Sequence, residues 1–484
     1  MRDTNNPAMM MDLYELTMAN GYFLNPECQG TRVAFDVFYR RNPDEGGFAI
    51  FAGLEQIVDY LSNMHFTAED VEYLRSLGQF DERFLHYLET FRFHGDVFAF
   101  PEGSIIYPNE PVLTVVADIT EAQLVETEIL AQFNHQSLIA TKAQRIVRAA
   151  GGRAVSDFGA RRAHNNDAAV YGARACMIGG ARGTATVLAG QRFDIPVSGT
   201  MAHSWVMLFE DELTAFRRFA SCYPHNCILL VDTYDVLNSG MPHAIQVFRE
   251  LREQEIRPKS YGIRIDSGDL AYLTKKARVM LDEAGFTDAK IIISNSLDEY
   301  TIQSILAQGG QVDAFGVGER MITARSEPVF GGVYKLCAVK RGNHWEPRIK
   351  ISDTVEKTTN PGLKDVYRIY NDQGTAVADL ITMAGEELDL SKPYRFVDPI
   401  RPWKQLYLEN CTAKKLQVQV IREGKRCYET EKLSDIASRV RHQLQHEVWV
   451  EEQRFQNPHA HYLDMSPSYY EMKMELLSVQ SLRD

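Results

Sequence analysis

The sequence predicts an α/β protein that combines a parallel barrel or doubly wound sheet with a smaller α+β unit. Between about 121 and 335, short apolar runs alternate with segments of helical length, which is the pattern of parallel βα units. The first 120 residues instead show helical segments followed by short β-rich runs that prolines and glycines interrupt. The 484 residues also exceed the size of one ordinary domain.

The N-terminal part, residues 1–120, is predicted as the α+β domain. Residues 31–39 alternate as a strand, the segment from about 53 to 90 is helical in pattern, and short strands follow between 96 and 119. Strands predicted within 336–395, among them 366–370, are expected to return to this domain and complete its sheet. The segment 396–484 has a mixed pattern and no assigned role.

The barrel domain is predicted over 121–335. A long amphipathic helix leads to a Gly-Gly pair, and six apolar runs follow, each predicted as a strand: 154–155, 195–197, 228–231, 263–265, 291–293 and 314–315. A polar cluster comes directly after each run. Because the carboxyl ends of parallel strands meet at one edge, where α/β folds bind their ligands, these clusters predict a single active-site rim.

Composition narrows the class of protein. A formal charge of −13 argues against nonspecific binding to nucleic acid. The seven cysteines are scattered without a C-x-x-C pair, which predicts neither a disulfide framework nor a zinc site and favours a reducing, cytoplasmic compartment. No apolar run approaches the ~18 residues that cross a bilayer, so no membrane partner is expected.

Two residues of one predicted strand carry opposite charges. In Gly-Ile-Arg-Ile-Asp, the two-residue period puts Arg264 and Asp266 on the same face. A structural ion pair explains such a couple equally well. The functional interpretation is an arginine that grips a planar carboxylate beside an acid that serves a sugar hydroxyl or a metal. Asp232, which follows the preceding strand, is a further candidate for ribose or Mg²⁺.

Anion-binding turns and one histidine complete the predicted rim. Ser294 and Asn295 follow the fifth run, and Gly316 and Gly318 follow the sixth, where barrels commonly hold a phosphate with backbone amides. His203 follows a Ser-Gly-Thr turn; taken alone, such a histidine more often packs or caps locally than reacts. His203 is grouped here with charged residues and anion-binding turns, and the sequence has no serine or cysteine nucleophile elbow. The set therefore indicates phosphoryl or phosphoribosyl chemistry rather than acyl transfer.

These motifs resemble the nicotinate phosphoribosyltransferase family. The resemblance runs in order from about residue 12 to 370 and rests on these stretches: Asp12-Leu-Tyr-Glu-Leu-Thr-Met-Ala19, Phe38-Tyr-Arg-Arg-Asn-Pro43, Phe100-Pro-Glu-Gly-Ser104, Asp157-Phe-Gly-Ala-Arg-Arg162, Gly199-Thr-Met-Ala-His-Ser204, Leu230-Val-Asp-Thr-Tyr-Asp235, Arg264-Ile-Asp-Ser-Gly-Asp-Leu270, Phe315-Gly-Val-Gly318 and Val333-Tyr-Lys-Leu336. It covers little of the last hundred residues.

The resemblance implies a fold and a set of roles. The fold would be an irregular α/β barrel, completed in a homodimer by the N-terminal domain of the neighbouring subunit. Nicotinate would stack between Phe158 and the neighbour's Tyr14, with its carboxylate on Arg264 and the Thr200 region. His203 would be the histidine that ATP phosphorylates. Phosphoribosyl pyrophosphate would lie on residues that match the family's substrate positions: Asp232, Asp266, Arg161, Ser294, Gly316, Gly318 and Thr323.

The implied reaction joins nicotinate to phosphoribosyl pyrophosphate, with Mg²⁺ and ATP, to give nicotinate mononucleotide and pyrophosphate for NAD salvage. Two alternatives remain open at the level of sequence. A nicotinamide-specific relative carries an aspartate in a Gly-Thr-Asp-Thr-Val-Ala-Gly segment; the same place here is Ala185, which favours the acid because an aspartate would repel a carboxylate. The other alternative is a noncatalytic barrel that only binds a sugar phosphate.

Overall fold

The computed structural model describes residues 7–352 and 358–481 and divides the chain into two units. The terminal unit comprises residues 1–138 and 329–484, and the central unit comprises residues 139–328. The central unit therefore begins at Ile139 and ends at Pro328, inside the 121–335 span predicted for the barrel. No helix within the described ranges is long and apolar enough to cross a membrane.

The terminal unit opens with helices and short strands. Its first elements are α1 (Leu13–Leu24), β1 (Arg32–Tyr39), β2 (Ala49–Ile50), α2 (Leu54–Asn63), α3 (Ala68–Ser76), α4 (Glu82–Glu89), β3 (Asp96–Ala99), β4 (Ile105–Ile106), β5 (Leu113–Asp118) and α5 (Ile119–Gln123). Helix α1 begins where the Glu15 carboxylate accepts the Asp12 backbone N–H at 3.1 Å. Helix α6 (Glu126–Ala149) then begins in the terminal unit and ends in the central one.

The central unit alternates strands and helices. Its elements are β6 (Ala154–Asp157), α7 (Asn166–Ile178), β7 (Gly183–Thr184), α8 (Val187–Phe193), α9 (His203–Leu208), α10 (Glu212–Cys222), β8 (Asn226–Leu230), α11 (Met241–Glu253), β9 (Ser260–Ile265), α12 (Leu270–Glu283), β10 (Lys290–Ile293), α13 (Glu299–Ala307), β11 (Ala314–Val317) and α14 (Glu319–Ile322). The strands form one parallel sheet in the order β7-β6-β11-β10-β9-β8. Apolar side chains such as Leu229, Ile263 and Ile291 are fully buried in it.

One predicted strand of this sheet is wrong. Residues 195–197 form no strand; β7 takes that place, and Val197 only bridges to Thr184 beyond the β7 edge. Pro196 explains the difference, because it lacks the N–H that a ladder needs and is confined to sheet edges. Its carbonyl still accepts the Thr184 N–H at 3.1 Å, so the chain is held beside β7 up to the turn before His203.

The rest of the terminal unit adds strands and two helices. These elements are β12 (Gly332–Arg341), β13 (His344–Pro347), β14 (Lys364–Tyr370), β15 (Ala376–Met383), β16 (Tyr394–Val397), β17 (Gln405–Leu408), β18 (Thr412–Lys415), β19 (Val418–Arg422), β20 (Lys425–Arg426), α15 (Leu433–His446), β21 (Leu463–Met465) and α16 (Pro467–Ser481). A seven-stranded sheet, β13-β12-β1-β5-β3-β19-β20, joins early and late strands. The prediction of an α/β fold whose N-terminal domain is completed by later strands is thereby confirmed.

Not every later strand joins that sheet. The predicted strand at 366–370 is part of β14, which pairs with β15 and β18 in a separate six-stranded sheet, β17-β16-β21-β15-β14-β18. The N-terminal strands are instead completed by β12 and β13 on one side and by β19 and β20 on the other. Strands of the segment 396–484, which had no assigned role, lie between 396 and 465 and therefore contribute to both large sheets of the terminal unit.

A buried charged network lies within the terminal unit. Arg368 on β14 donates to both Asp379 carboxylate oxygens at 2.9 and 2.7 Å and to the Ile105 carbonyl at 3.0 Å. His461 lies between Asp379 and Glu452, at 3.5 and 2.9 Å, and stacks on Tyr107. Buried charges are stable only when paired in this way, so the network fixes the C-terminal segment against the early strands.

Candidate active site

A cavity of about 530 Å³ lies at the carboxyl ends of the strands of the central sheet. That volume is typical of sites for small molecules. Most of the predicted site residues line it: Phe158, Arg161, Thr200, Arg264, Asp266, Ser294, Asn295, Gly316 and Gly318. The single rim predicted from the strand-end clusters thus corresponds to one cavity, although the roles of its residues stay predictions.

Arg264 and Thr200 meet inside this cavity. Arg264 Nη1 donates to Thr200 Oγ1 at 2.5 Å, and Arg264 Nε is buried without a hydrogen-bond partner. Burial lowers the pKa of Arg264, and nearby Arg161 adds to that effect, while Asp266 and Asp232 oppose it. A part-buried guanidinium whose Nε–H is buried and unmatched suits an anion, because leaving that N–H unbonded is costly.

The two acids are connected to each other and to the next turn. Ser294 Oγ donates to Asp266 Oδ1 at 2.5 Å, and Asp232 Oδ2 accepts the Asp266 backbone N–H at 2.9 Å. Ser267 Oγ adds a second donor to Asp232 Oδ2 at 2.6 Å. Asp232 is outside the cavity wall, but its Oδ1 is buried and has no hydrogen-bond partner. It is therefore an acceptor that a cation or a hydroxyl could satisfy.

His203 begins α9 at the margin of the cavity. Its Nδ1 lies 3.1 Å from Thr233 Oγ1, and its Nε2 lies 4.0 Å from Asp266 Oδ2. The helix is fixed to α10 because Trp205 Nε1 donates to the Ala215 carbonyl at 3.0 Å. The imidazole is thus oriented from both sides while its side chain stays 39% exposed. Sequence reasoning missed Thr233, although it follows Asp232 directly.

The turns after β10 and β11 form another part of the wall. Asn295 and Ser296 both have left-handed backbones, with φ of 83° and 48°. Gly318 lies between β11 and α14, and Arg320 on that short helix also lines the cavity. Arg320 was not among the predicted site residues. The predicted Thr323 is outside the wall; its hydroxyl donates to the Glu319 carbonyl at 2.8 Å.

Tyr14 belongs to the terminal unit rather than to the central unit that holds this cavity. It lies in the first turn of α1 and is 43% exposed. Partial burial, with the nearby Glu126 carboxylate, raises the pKa of its hydroxyl above the ordinary range. Its predicted role, which requires a second copy of the chain, stays a prediction.

Phe158 and Gly316 are in direct contact. A Cβ placed on Gly316 would lie 2.4 Å from the Phe158 ring, closer than side-chain carbons approach. Phe158 itself is held by its backbone N–H, which donates to the Val317 carbonyl at 2.8 Å. Gly316 was predicted as part of a phosphate turn; the structure shows that it also makes room for the ring.

Gly316→Ala is therefore expected to displace the Phe158 ring and to weaken an aromatic ligand more than a phosphate ligand. We expect the KM for the aromatic substrate to rise by about tenfold, the loss of one good ring contact of ~1.4 kcal/mol. The measurement is steady-state kinetics with each substrate varied in turn. Gly21→Ala, at a helical position with open space around it, tests the general effect of adding a methyl group; an unchanged KM in Gly316→Ala would contradict the stacking role of Phe158.

The carboxylates suit a metal only together with other ligands. Among the described residues, no group of three or more His, Cys, Asp or Glu side chains could hold a metal ion. Asp232 and Asp266 nevertheless offer two carboxylates, linked because Asp232 accepts the Asp266 backbone N–H, and one of them has an unpartnered oxygen. Mg²⁺ characteristically binds one or two carboxylates together with substrate phosphates and water, so the residues present fit that ion.

Comparison with known proteins agrees with the motifs and the fold. The N-terminal domain of nicotinate phosphoribosyltransferase matches residues 9–134, the family itself matches 153–393 and its C-terminal domain matches 363–473. The nicotinate phosphoribosyltransferase of Bacillus subtilis is 44% identical over 96% of this chain and 94% of its own. One from Mycobacterium tuberculosis is 43% identical over 79% of each chain.

A solved structure extends the likeness to the whole fold. The crystal structure of human nicotinic acid phosphoribosyltransferase superposes with a TM-score of 0.84 at 26% identity, covering 97% of this chain and 100% of that one. Three domain matches, full-length relatives and this superposition cover the N-terminal, central and C-terminal parts alike. The chain belongs to the nicotinate phosphoribosyltransferase family.

Proposed function

We propose that this chain transfers the phosphoribosyl group of phosphoribosyl pyrophosphate to nicotinate, and that ATP hydrolysis through phosphorylated His203 drives the reaction. The observation that carries the proposal is the part-buried Arg264, which is held by Thr200 and has a buried, unmatched Nε, in the same cavity as Phe158 and the turns after β10 and β11. One planar acid and one phosphorylated sugar would satisfy all of these groups. Membership of the family supports this pair of substrates.

We infer an orientation for nicotinate from these residues. Its carboxylate accepts from Arg264 and Thr200, and its ring lies against Phe158, with Tyr14 of a second copy covering the other face in a homodimer. The pyridine nitrogen then forms a bond to the anomeric carbon as the bond from that carbon to pyrophosphate breaks. Pyrophosphate leaves with the electron pair, and the Asp266 carboxylate stabilises the positive charge that develops on the sugar.

Other residues bind the phosphates and react with ATP. The turns at Ser294–Ser296 and Gly316–Gly318 hold the phosphoribosyl end with backbone N–H groups, together with Arg161. Asp232 and Asp266 would hold Mg²⁺ together with substrate oxygens, and the ion would supply positive charge for the leaving pyrophosphate. His203 accepts the γ-phosphoryl group of ATP as ADP leaves, and the phosphohistidine adds negative charge beside Asp266 until water hydrolyses it and releases phosphate.

The cavity favours the acid over the amide. Ala185 lines it where a carboxylate in a nicotinamide enzyme would accept from the amide, and its methyl group neither accepts that bond nor repels an acid. We therefore propose nicotinate rather than nicotinamide as the substrate. Parallel assays of pyrophosphate release with each compound test this choice, and faster release with nicotinamide would reject it.

Arg264→Lys is expected to raise the KM for nicotinate by about 10- to 100-fold, because a point charge cannot form the bidentate bonds of a guanidinium. The KM for phosphoribosyl pyrophosphate should change much less. Arg217→Lys, an exposed arginine paired with Glu250, is the matched control. Equal nicotinate KM values in the two variants would contradict the assignment of Arg264.

A further inference from the structure

An ion pair joins the two turns that line the phosphate side of the cavity. Arg320, which follows Gly318 at the start of α14, donates from Nη1 to Asp298 Oδ2 at 2.5 Å and to Thr301 Oγ1 at 3.3 Å. Asp298 ends the turn that begins at Ser294 and caps α13, accepting the Thr301 N–H at 2.7 Å. The pair therefore links the segment after β10 to the segment after β11.

The turn that this pair terminates is held in an unfavourable conformation. Asn295 and Ser296 are consecutive left-handed residues, and neither is glycine. Such residues persist only when surrounding contacts enforce them, and they concentrate at ligand sites. Both residues lie on the cavity wall, so this part of the wall has a backbone conformation that an unrestrained turn would not keep.

The far side of the turn is anchored to a helix. Glu299, the neighbour of Asp298, is fully buried and accepts from Lys142 Nζ and Arg145 Nε of α6, each at 2.9 Å. Glu299, the first residue of α13, is thus fixed to α6, and Asp298, the cap of that helix, is fixed to α14. Burial alone would raise the pKa of Asp298, but bonds from Thr301 and Arg320 outweigh it and the pKa lies below the ordinary value. The Asp298 carboxylate is therefore charged and hydrogen-bonded.

We propose that Arg320 and Asp298 are a positioning pair that fixes the Asn295–Ser296 turn and the Gly318 turn at the spacing that a substrate phosphate requires. This inference deepens the proposed function and rests on its phosphoribosyl pyrophosphate. The pair acts through the backbone N–H groups of both turns rather than through contact with the reacting atoms. Loss of the pair should weaken the phosphorylated substrate selectively, because Arg264, Thr200 and Phe158 belong to other segments of the wall.

Asp298→Asn tests the ion pair with Arg320 separately from the helix cap. Asparagine caps a helix as well as aspartate does, so the variant removes the charge and keeps the cap. We expect the KM for phosphoribosyl pyrophosphate to rise about tenfold, the effect of one charged hydrogen bond, with the nicotinate KM unchanged. The matched control is Asp211→Asn, because Asp211 caps α10 through Thr214 N, also at 2.7 Å, and its carboxylate bonds to Thr214 rather than to an arginine.

A double variant distinguishes a pair from two independent residues. If Arg320 and Asp298 act as one unit, Asp298→Asn with Arg320→Gln should bind no more weakly than Arg320→Gln alone. Calorimetric titration with phosphoribosyl pyrophosphate, without nicotinate, measures this independently of turnover. Three results would each overturn the proposal. They are additive losses of binding free energy in the double variant, a rise in the nicotinate KM as large as the rise for phosphoribosyl pyrophosphate, and an effect of Asp298→Asn no larger than that of Asp211→Asn.

The titration also separates the two claims. If wild-type protein released no pyrophosphate with nicotinate but Asp298→Asn still weakened its binding of phosphoribosyl pyrophosphate tenfold, the transferase assignment would fail and the positioning pair would stand. If the wild-type protein turned over normally and Asp298→Asn bound like the control, the pair would fail and the assignment would stand. A wild-type protein that did not bind phosphoribosyl pyrophosphate would overturn both.

Discussion

His203→Ala is expected to reduce nicotinate-dependent ATP hydrolysis by at least about 100-fold, as removal of a directly reacting group does. Slow release of pyrophosphate without ATP should continue, because Arg264, Phe158 and the anion-binding turns are unchanged. The physical basis is the position of the imidazole, held by Thr233 at 3.1 Å and 4.0 Å from Asp266 while its side chain stays accessible. Coupled assays of ADP and pyrophosphate measure both reactions on the same sample.

The chemical form of the coupling can be tested directly. Incubation with γ-labelled ATP should give wild-type protein an acid-labile phosphoryl label that His203→Ala lacks. His86→Ala is the control, because His86 is an exposed histidine of the terminal unit paired with Glu89. A label that survives in His203→Ala, or ATP hydrolysis that stays coupled to transfer, would show that the phosphoryl acceptor is another residue.

Arg368→Met is expected to lower the free energy of unfolding by about 3–5 kcal/mol, the usual cost of breaking a buried ion pair by removing one partner. Arg368 is 1% exposed and satisfies both Asp379 oxygens, so its loss leaves a buried carboxylate without its cation. Urea unfolding followed by circular dichroism measures the change, provided that the transition remains cooperative.

Two further variants identify the cause of that loss. Arg75→Met removes an arginine from exposed pairs with Glu72 and Glu82 and should cost less than about 1 kcal/mol. Combining Arg368→Met with Asp379→Leu should recover part of the stability, because no unpaired charge then remains buried. If Arg368→Met were no more destabilising than Arg75→Met, the network would contribute nothing to the fold of the terminal unit.

Local patterns predicted most of the central sheet. Most side chains of the apolar runs 228–231 and 291–293 are buried, and an unbroken apolar stretch in the sequence is the pattern that such burial produces. Residues 195–197 have the same appearance but contain Pro196, whose missing N–H leaves them outside the ladder. Strand β14 was also found in the sequence, but its sheet was not, because sheet membership depends on partners such as β18 that lie far along the chain.

The candidate site was predictable where residues follow a strand directly. Arg264, Asp266, Ser294 and Gly316 reach one cavity because parallel strands end at the same edge. Contacts between loops were not predictable. Neither the bond of Thr233 to His203 nor the pair of Arg320 with Asp298 has a local signal, since each joins segments that only the folded sheet brings together.

The most direct test of the proposed function is the release of pyrophosphate from phosphoribosyl pyrophosphate and Mg²⁺ with nicotinate, measured with and without ATP. We expect release to depend on nicotinate, to yield nicotinate mononucleotide in equal amount and to become faster and more complete with ATP. Nicotinamide in place of nicotinate should give little product. Binding of phosphoribosyl pyrophosphate without release of pyrophosphate under any of these conditions would contradict the transferase function.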